Sequence, residues 1–118
     1  MSFCWKTYKG KQIFYVDYNG LNTDEMIKLL HETCEILKIS SEKVPLLTNF
    51  QNTIGTTEFM SEVKQLGKEI ITVKASKTAL LGISSFKGVL VQGYTFFTGE
   101  KNLKAFNTEQ EAMEWLVS

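Results

Sequence analysis

Hydroxyl and amide side chains gather at two points where an apolar run gives way to a helical pattern. The residues of the first point, within NFQNTIGTTEF at 49–59, are Asn52, Thr53, Gly55, Thr56 and Thr57. A helix N-terminus leaves backbone N–H groups unpaired and favours an anion, and a glycine lets the backbone approach a ligand closely. These residues are therefore candidates for ligand contact, and an anion is the best functional use of this corner.

Two other interpretations of the first corner stay open. Thr56 or Thr57 would simply cap the following helix while Gly55 relieves the turn, in which case no ligand is needed. Alternatively, one of the threonine hydroxyls is a site of covalent modification. The stretch lacks the GxxxxGK[ST] pattern of phosphate-binding loops, so no nucleotide site is predicted.

The second point follows the apolar run KTALLGI and contains Ser84 and Ser85. Ligands of α/β proteins bind outside the carboxyl ends of the strands, so the two corners are predicted to form one crevice. In the helical pattern that follows, Tyr94 and Phe97 share a side, whereas Phe96 lies about 200° from Tyr94. Part of this aromatic surface must therefore lie outside the core. We expect it to line either a ligand groove that includes Tyr94 or the interface of a homodimer. The serines are alternatively helix caps, with the aromatic residues in the core.

Residue types that perform catalysis or hold metals are sparse. His31 is the only histidine, and it lies within a helical pattern with no cysteine spaced to complete a metal site. A Ser-His-Asp catalytic triad is not predicted, because the sequence lacks the G-x-S-x-G turn that carries its serine. Asp17 lies at a strand end, and no second carboxylate is spaced to act with it in catalysis. Cys4 and Cys34 lack CxxC spacing. The sequence thus predicts no metal, no cofactor and no enzymatic activity, with an enzyme of unknown reaction as an alternative.

Composition narrows the class of protein further. The chain has 118 residues and a formal net charge of zero, which predicts one globular domain over 1–118 and no general attraction to nucleic acid. All 13 basic residues are lysine, so an arginine-based phosphate clamp is excluded within this chain. No signal peptide and no 18-residue apolar run is present. We therefore expect a cytoplasmic protein with no transmembrane segment.

Short apolar runs alternate with longer helical patterns. A hairpin of Phe3–Tyr8 and Gln12–Tyr18 is followed by predicted helices near 22–38, 56–74, 85–99 and 107–118, and by strands at 44–50, 77–83 and 103–106. This order predicts an α/β fold with a mainly parallel sheet of four or five strands, an antiparallel N-terminal edge strand and about four helices. If consecutive strands are neighbours, right-handed crossovers place successive helices on the same side of the sheet.

This order, with YKGKQIFYVDYNGL at 8–21 and LKAFNTEQEAMEWL at 103–116, resembles the SpoIIAA-like, STAS-related family of small bacterial proteins. The resemblance covers nearly the whole chain and is closest to the uncharacterised STAS/CRAL-TRIO-like branch. It implies a β/α superhelix fold and no established activity. Anti-sigma-factor antagonists of the family carry a phosphorylatable Ser in an Asp-Ser-Ser-Gly motif, which is absent from 49–59. No phosphosite is therefore carried over.

The function expected from these observations is that of a non-enzymatic domain. It would bind a protein partner or a small apolar or anionic ligand, in a crevice formed by the loops at 50–57 and 84–87. A regulatory module switched by phosphorylation of a serine or threonine is the first alternative, and an enzyme is the second.

Overall fold

A computed structural model of the chain describes residues 2–82 and 102–118. One sheet contains the strands in sequence order, which are β1 Phe3–Tyr8, β2 Lys11–Asp17, β3 Val44–Asn49, β4 Ala75–Leu81 and β5 Leu103–Phe106. β1 pairs antiparallel with β2, and every other neighbouring pair is parallel. The predicted α/β class, parallel sheet and antiparallel N-terminal edge strand are confirmed.

The helical segments are α1 Thr23–Ile39, α2 Thr57–Leu66, a π-helical turn Gly67–Ile71, α3 Thr72–Lys74 and α4 Glu109–Leu116. Within the described ranges, three of these helices have eight or more residues, one fewer than the predicted four. The remaining predicted helix, near 85–99, lies outside the described residues, as do Ser84, Ser85 and Tyr94.

The first turn of the chain has the chemistry of a two-residue hairpin. Lys9 and Gly10 have φ values of 50° and 78°, and Tyr8 pairs with Lys11 across the turn. Two successive positive φ values match the right-handed twist of the flanking strands, which is why Gly is favoured here. The predicted hairpin is confirmed, although β2 begins one residue earlier than predicted and ends before Tyr18.

Local sequence explains both the start and the buried face of α1. Asn22 and Glu25 form a reciprocal capping box, with distances of 2.9 Å and 3.0 Å. The buried residues of α1 are Met26, Leu29, Leu30, Thr33, Cys34 and Leu37. Burial raises the pKa of the Cys34 thiol to about 11, so this cysteine remains a neutral core residue.

The two faces of the sheet carry separate cores. Phe14, Val16 and Leu46 lie on the face covered by α1 and α2, whereas Ile13 and Leu47 lie on the face covered by α4. Alternation along β2 and β3 produces this division because successive side chains point to opposite faces. The prediction that successive crossover helices share one side is confirmed for α1 and α2.

The predicted single helix over 56–74 is wrong in one respect. A π-helical turn at Gly67–Ile71 inserts one residue into the helical repeat. Consequently Ile71 is buried, whereas Ile70, which the spacing of Phe59, Val63 and Leu66 in the sequence would place inward, is only partly buried. The Thr72 hydroxyl that follows is buried without a hydrogen-bond partner in the described structure.

Polar contacts join α4 to the N-terminal hairpin. Lys6 Nζ lies 3.0 Å from a Glu109 carboxylate oxygen, and the Tyr8 hydroxyl donates to Glu114 at 2.6 Å. Lys9 Nζ lies 2.8 Å from Glu114 Oε1, the oxygen that accepts from Tyr8, and donates to Glu114 Oε2 at 2.9 Å. Hydrogen bonds from Lys9 and Tyr8 hold the pKa of Glu114 below its ordinary value.

A pH dependence of stability follows from this lowered pKa. A carboxylate with a lowered folded-state pKa stabilises the fold above its unfolded-state pKa, and this contribution is lost as the pH falls through the folded-state value. We therefore expect Glu114→Gln to reduce the acid-induced decrease in melting temperature below about pH 4.3. Calorimetry from pH 7 to pH 3 measures it. Glu32→Gln, at an exposed position of α1, is the control, and identical pH profiles for wild type and Glu114→Gln would contradict the expectation.

Candidate functional site

The corner after β3 is built from short side-chain contacts. Asn49 Oδ1 accepts from the Gln51 N–H at 3.1 Å, and Asn52 Nδ2 donates to Asn19 Oδ1 at 3.1 Å. Asn52 has a φ of 56°, a left-handed conformation that asparagine tolerates better than most residues. The corner is therefore held to the neighbouring β2–α1 loop by amide side chains.

The threonines of this corner have structural partners. Thr53 is buried, and its hydroxyl donates to the Phe50 carbonyl at 2.6 Å. Thr56 caps α2 by accepting from the Phe59 N–H at 3.3 Å, and its hydroxyl lies 3.0 Å from that of Thr23. Thr57, the first residue of α2, is exposed. The capping interpretation of Thr56 is thus correct, and ligand contact by these residues stays a prediction.

Gly82 brings the β4 corner against the β3 corner. Phe50 N–H donates to the Leu81 carbonyl at 2.8 Å, and a Cβ on Gly82 would lie 2.5 Å from the Gln51 nitrogen. The positive φ values among the described glycines occur at Gly10, Gly20 and Gly82, and Gly55 is not one of them. The β3 corner therefore lies against the β4 corner at Gly82, which is the last described residue before residue 102.

The other two groups considered for chemistry have simple surroundings. Asp17 Oδ1 accepts from the Asn19 N–H at 3.0 Å, which fixes the turn after β2. His31 is exposed on α1, and its Nε2 lies 3.0 Å from Glu62 Oε2 on α2. Over residues 2–82 and 102–118, no three His, Cys, Asp or Glu side chains form a group that could hold a metal ion.

An open hollow of about 960 Å³ lies at the end of the sheet where the parallel strands begin, opposite to these corners. Its lining includes the loop Ser40–Lys43 between α1 and β3 and the end of α4. Its remaining lining residues are Trp5, Lys11, Gln12, Val44, Pro45, Ser76, Lys77, Leu116 and Ser118. A volume of this size lies within the range of small-molecule sites.

Two of the lysines that line the hollow stabilise the end of α4. Lys77 Nζ donates to the Trp115 carbonyl at 2.9 Å, to Ser118 O at 3.1 Å and to Ser118 Oγ at 2.9 Å. Lys11 Nζ donates to the Val117 carbonyl at 3.2 Å. The last carbonyls of a helix lack intrahelical partners and attract cations, so both lysines have a structural role.

Lys43 differs from these two lysines. It is exposed at the rim of the hollow, and no described residue forms an ion pair or hydrogen bond with its ammonium group. The lining contains three lysines and one glutamate, Glu42, in a chain whose formal net charge is zero. The hollow is therefore a local concentration of positive charge.

An aromatic surface lies beside this charge. The Trp5 side chain is 48% exposed at the hollow, with its ring centroid 4.8 Å from that of buried Phe14. Val44, Pro45 and Leu116 add aliphatic surface to the lining. An apolar floor with a lysine at its rim suits a ligand that has an apolar body and an anionic group.

Sequence reasoning missed this hollow because its residues come from five separate segments, two of them at opposite ends of the chain. The signal that was available is the polar loop SSEK at 40–43 between α1 and β3, where Lys43 lies two residues before the only proline, Pro45.

A scan against protein-family models finds no match for this chain. A search of the curated proteins likewise finds no match. In the described part of the chain, every helix is too short or too polar to cross a lipid bilayer.

Proposed function

We propose that this chain is a non-enzymatic binding domain whose small ligand occupies the hollow at the amino ends of β3 and β4. The single observation that carries the proposal is the combination of exposed Trp5 and Lys43, which has no partner among the described residues, around about 960 Å³ of open space. The ligand class is an apolar body with one carboxylate, sulfonate or phosphate group. The apolar body would lie against Trp5, and the anion would lie at Lys43.

The arrangement of charge supports an anionic ligand. Lys11 and Lys77 are held at the end of α4 by carbonyl oxygens, which fixes two positive charges in the lining of the hollow. Lys43 also lines the hollow, and its ammonium group is unpaired among the described residues. An anion in the hollow would be attracted by these lysines without displacing an ion pair between described residues.

The opposite end of the sheet, at the carboxyl ends of the parallel strands, supports ligand binding less well. The Thr53 and Thr56 hydroxyls that were predicted to contact a ligand already have intramolecular partners. The two side chains considered for catalysis, Asp17 and His31, are likewise occupied in a turn and in an exposed contact with Glu62. The contacts of the described residues therefore support ligand binding at the hollow better than they support catalysis.

The family and cellular location belong to the same proposal. The sheet order, with β1 antiparallel at the edge, supports membership of the SpoIIAA-like, STAS-related family. Cys4, which is exposed, and Cys34, which is buried, are both free thiols. Unpaired cysteines fit the reducing conditions of the cytoplasm.

Lys43→Glu tests the proposed site with anilinonaphthalene sulfonate, a probe with an apolar body and a sulfonate group. We expect the wild-type protein to bind the probe with an increase in its fluorescence, and dodecanoate to displace it. Reversing the charge at the rim should weaken probe binding by about tenfold, which corresponds to about 1.4 kcal/mol. A fluorescence titration of both proteins measures the difference.

Lys28→Glu is the matched control because Lys28 is an exposed lysine of α1 that does not line the hollow. It changes the net charge equally and should leave probe affinity unchanged. Equal affinity of Lys43→Glu and wild type would refute the proposed site. Near-ultraviolet circular dichroism of each sample excludes binding of the probe to partly unfolded protein.

A further inference from the structure

The outer edge of β1 is a surface with an unused hydrogen-bonding pattern. β1 pairs only with β2 in the described sheet and forms its first edge. Its register with β2 pairs Cys4 with Tyr15, Lys6 with Ile13, and Tyr8 with Lys11. The pattern of hydrogen bonds within this hairpin decides which backbone groups point outwards.

In an antiparallel pair, residues alternate between those whose N–H and C=O face the partner strand and those whose groups face away. The Asp17 N–H donates to the Ser2 carbonyl at 2.7 Å, so Ser2 faces β2. Even-numbered β1 residues share this phase, in agreement with the two-residue turn after Tyr8. The N–H and C=O groups of Phe3, Trp5 and Thr7 therefore point away from the sheet, and no described residue pairs with them.

We infer that this edge binds a second copy of the chain, with the two β1 strands antiparallel about a twofold axis at Trp5. In this register Trp5 faces Trp5 of the second copy, and Phe3 faces Thr7 of the second copy. The twofold axis also places Thr7 opposite Phe3 of the second copy. These three pairs join outward-pointing groups, which gives about six hydrogen bonds, two for each pair. The contact is isologous, so it closes as a dimer and leaves no further β1 edge.

Charge and side-chain placement favour this register. Lys6 faces Cys4 of the second copy, so no two lysines lie directly opposite each other across the interface. Moving the axis by one residue, to Lys6, would place the two Lys6 ammonium groups opposite each other, which is unfavourable. The exposed Trp5 rings meet at the axis, where an aromatic cross-strand pair adds stability.

The dimer does not depend on the proposed ligand, but the two surfaces share Trp5. Trp5 lines the hollow, so Trp5 of the second copy would extend the apolar floor. Loss of probe binding at Lys43→Glu leaves the dimer intact, and loss of the dimer leaves Lys43 in place. The two proposals can therefore fail separately.

Thr7→Pro tests the edge directly. It removes an N–H that points away from β2, so the hairpin should persist, because proline is tolerated on the open side of an edge strand. Light scattering should show a wild-type mass twice the 13.4 kDa of the chain, and a decrease to 13.4 kDa for Thr7→Pro. Thr7→Val is the control, because it loses the same contact with Gln12 but keeps the N–H, and it should remain dimeric.

A second measurement covers the case in which Thr7→Pro disturbs folding. Opposed residues of a hydrogen-bonded antiparallel pair have Cα atoms about 5.5 Å apart, which a disulfide can span. Trp5→Cys in a Cys4→Ser background should therefore form a disulfide-linked dimer under mild oxidation. Ile39→Cys in the same background, at a position 83% exposed, should not. A monomeric wild type, a dimer unchanged by Thr7→Pro, or equal cross-linking of both cysteines would overturn the inference.

Discussion

Gly82→Ala is expected to destabilise the protein by about 3 kcal/mol, because two separate costs add at this position. The residue has a φ of 76°, where a side chain is strained. An added Cβ would also lie 2.5 Å from both the backbone nitrogen and the Cγ of Gln51. The Phe50–Leu81 hydrogen bond, which joins the two corners beside this contact, opposes a backbone shift that would relieve it.

Gly10→Ala separates the two costs. Gly10 has nearly the same φ, 78°, but nothing lies within 4 Å of an added Cβ. We expect a loss of about 1 kcal/mol from the backbone conformation alone. Urea unfolding followed by circular dichroism measures both variants, and equal losses would show that the contact with Gln51 contributes nothing.

The second large effect is expected at Phe59, which is fully buried on α2. Its ring lies edge-on to those of Tyr18 and Phe50, at centroid distances of 5.9 Å and 6.2 Å. A cavity of about 30 Å³ already lies beside these rings. Phe59→Ala would enlarge it, and the cost of a cavity increases with its volume, so we expect a loss of 3–5 kcal/mol, on the order of the total stability of many small domains.

The measurement is the urea midpoint at a constant slope of the unfolding transition. Phe59→Leu keeps most of the apolar volume and should lose less than half as much. Val73→Ala, at a position 56% exposed, should change stability by less than about 0.5 kcal/mol. A Phe59→Ala protein as stable as Val73→Ala would mean that the aromatic cluster does not hold α2 to the sheet.

Local chemistry was sufficient to predict much of the fold. The turn at Lys9–Gly10 and the apolar spacing of α1 each have a cause within a few residues. The sequence offers both Asn22 and Thr23 as the cap of α1, and the structure has Asn22. The burial of Ile71 instead of Ile70 was not predictable in this way. A π-helical turn forms when it improves the packing of the helix against the sheet. The spacing of apolar residues within one helix does not reveal that packing.

The candidate site was less accessible to sequence reasoning than the fold. Hydroxyl-bearing corners were recognisable from residue types, but their hydrogen bonds to Phe50 and Thr23 depend on how distant loops meet. The hollow depends on the approach of Trp5, Lys43 and Lys77, which belong to three different strands and loops. No spacing rule links such residues, because the sheet alone brings them together.

The contacts between the hairpin and α4 have a consequence for co-translational folding. Lys6 and Tyr8 precede their partners Glu109 and Glu114 by 103 and 106 residues, so the ribosome makes them long before α4. An eight-residue helix is too short to persist alone, so α4 forms only on a sheet that already exists. Until α4 has been made, the apolar sheet face around Ile13 and Leu47 lacks the cover that this helix provides, and exposed apolar surface of this kind is what chaperones bind.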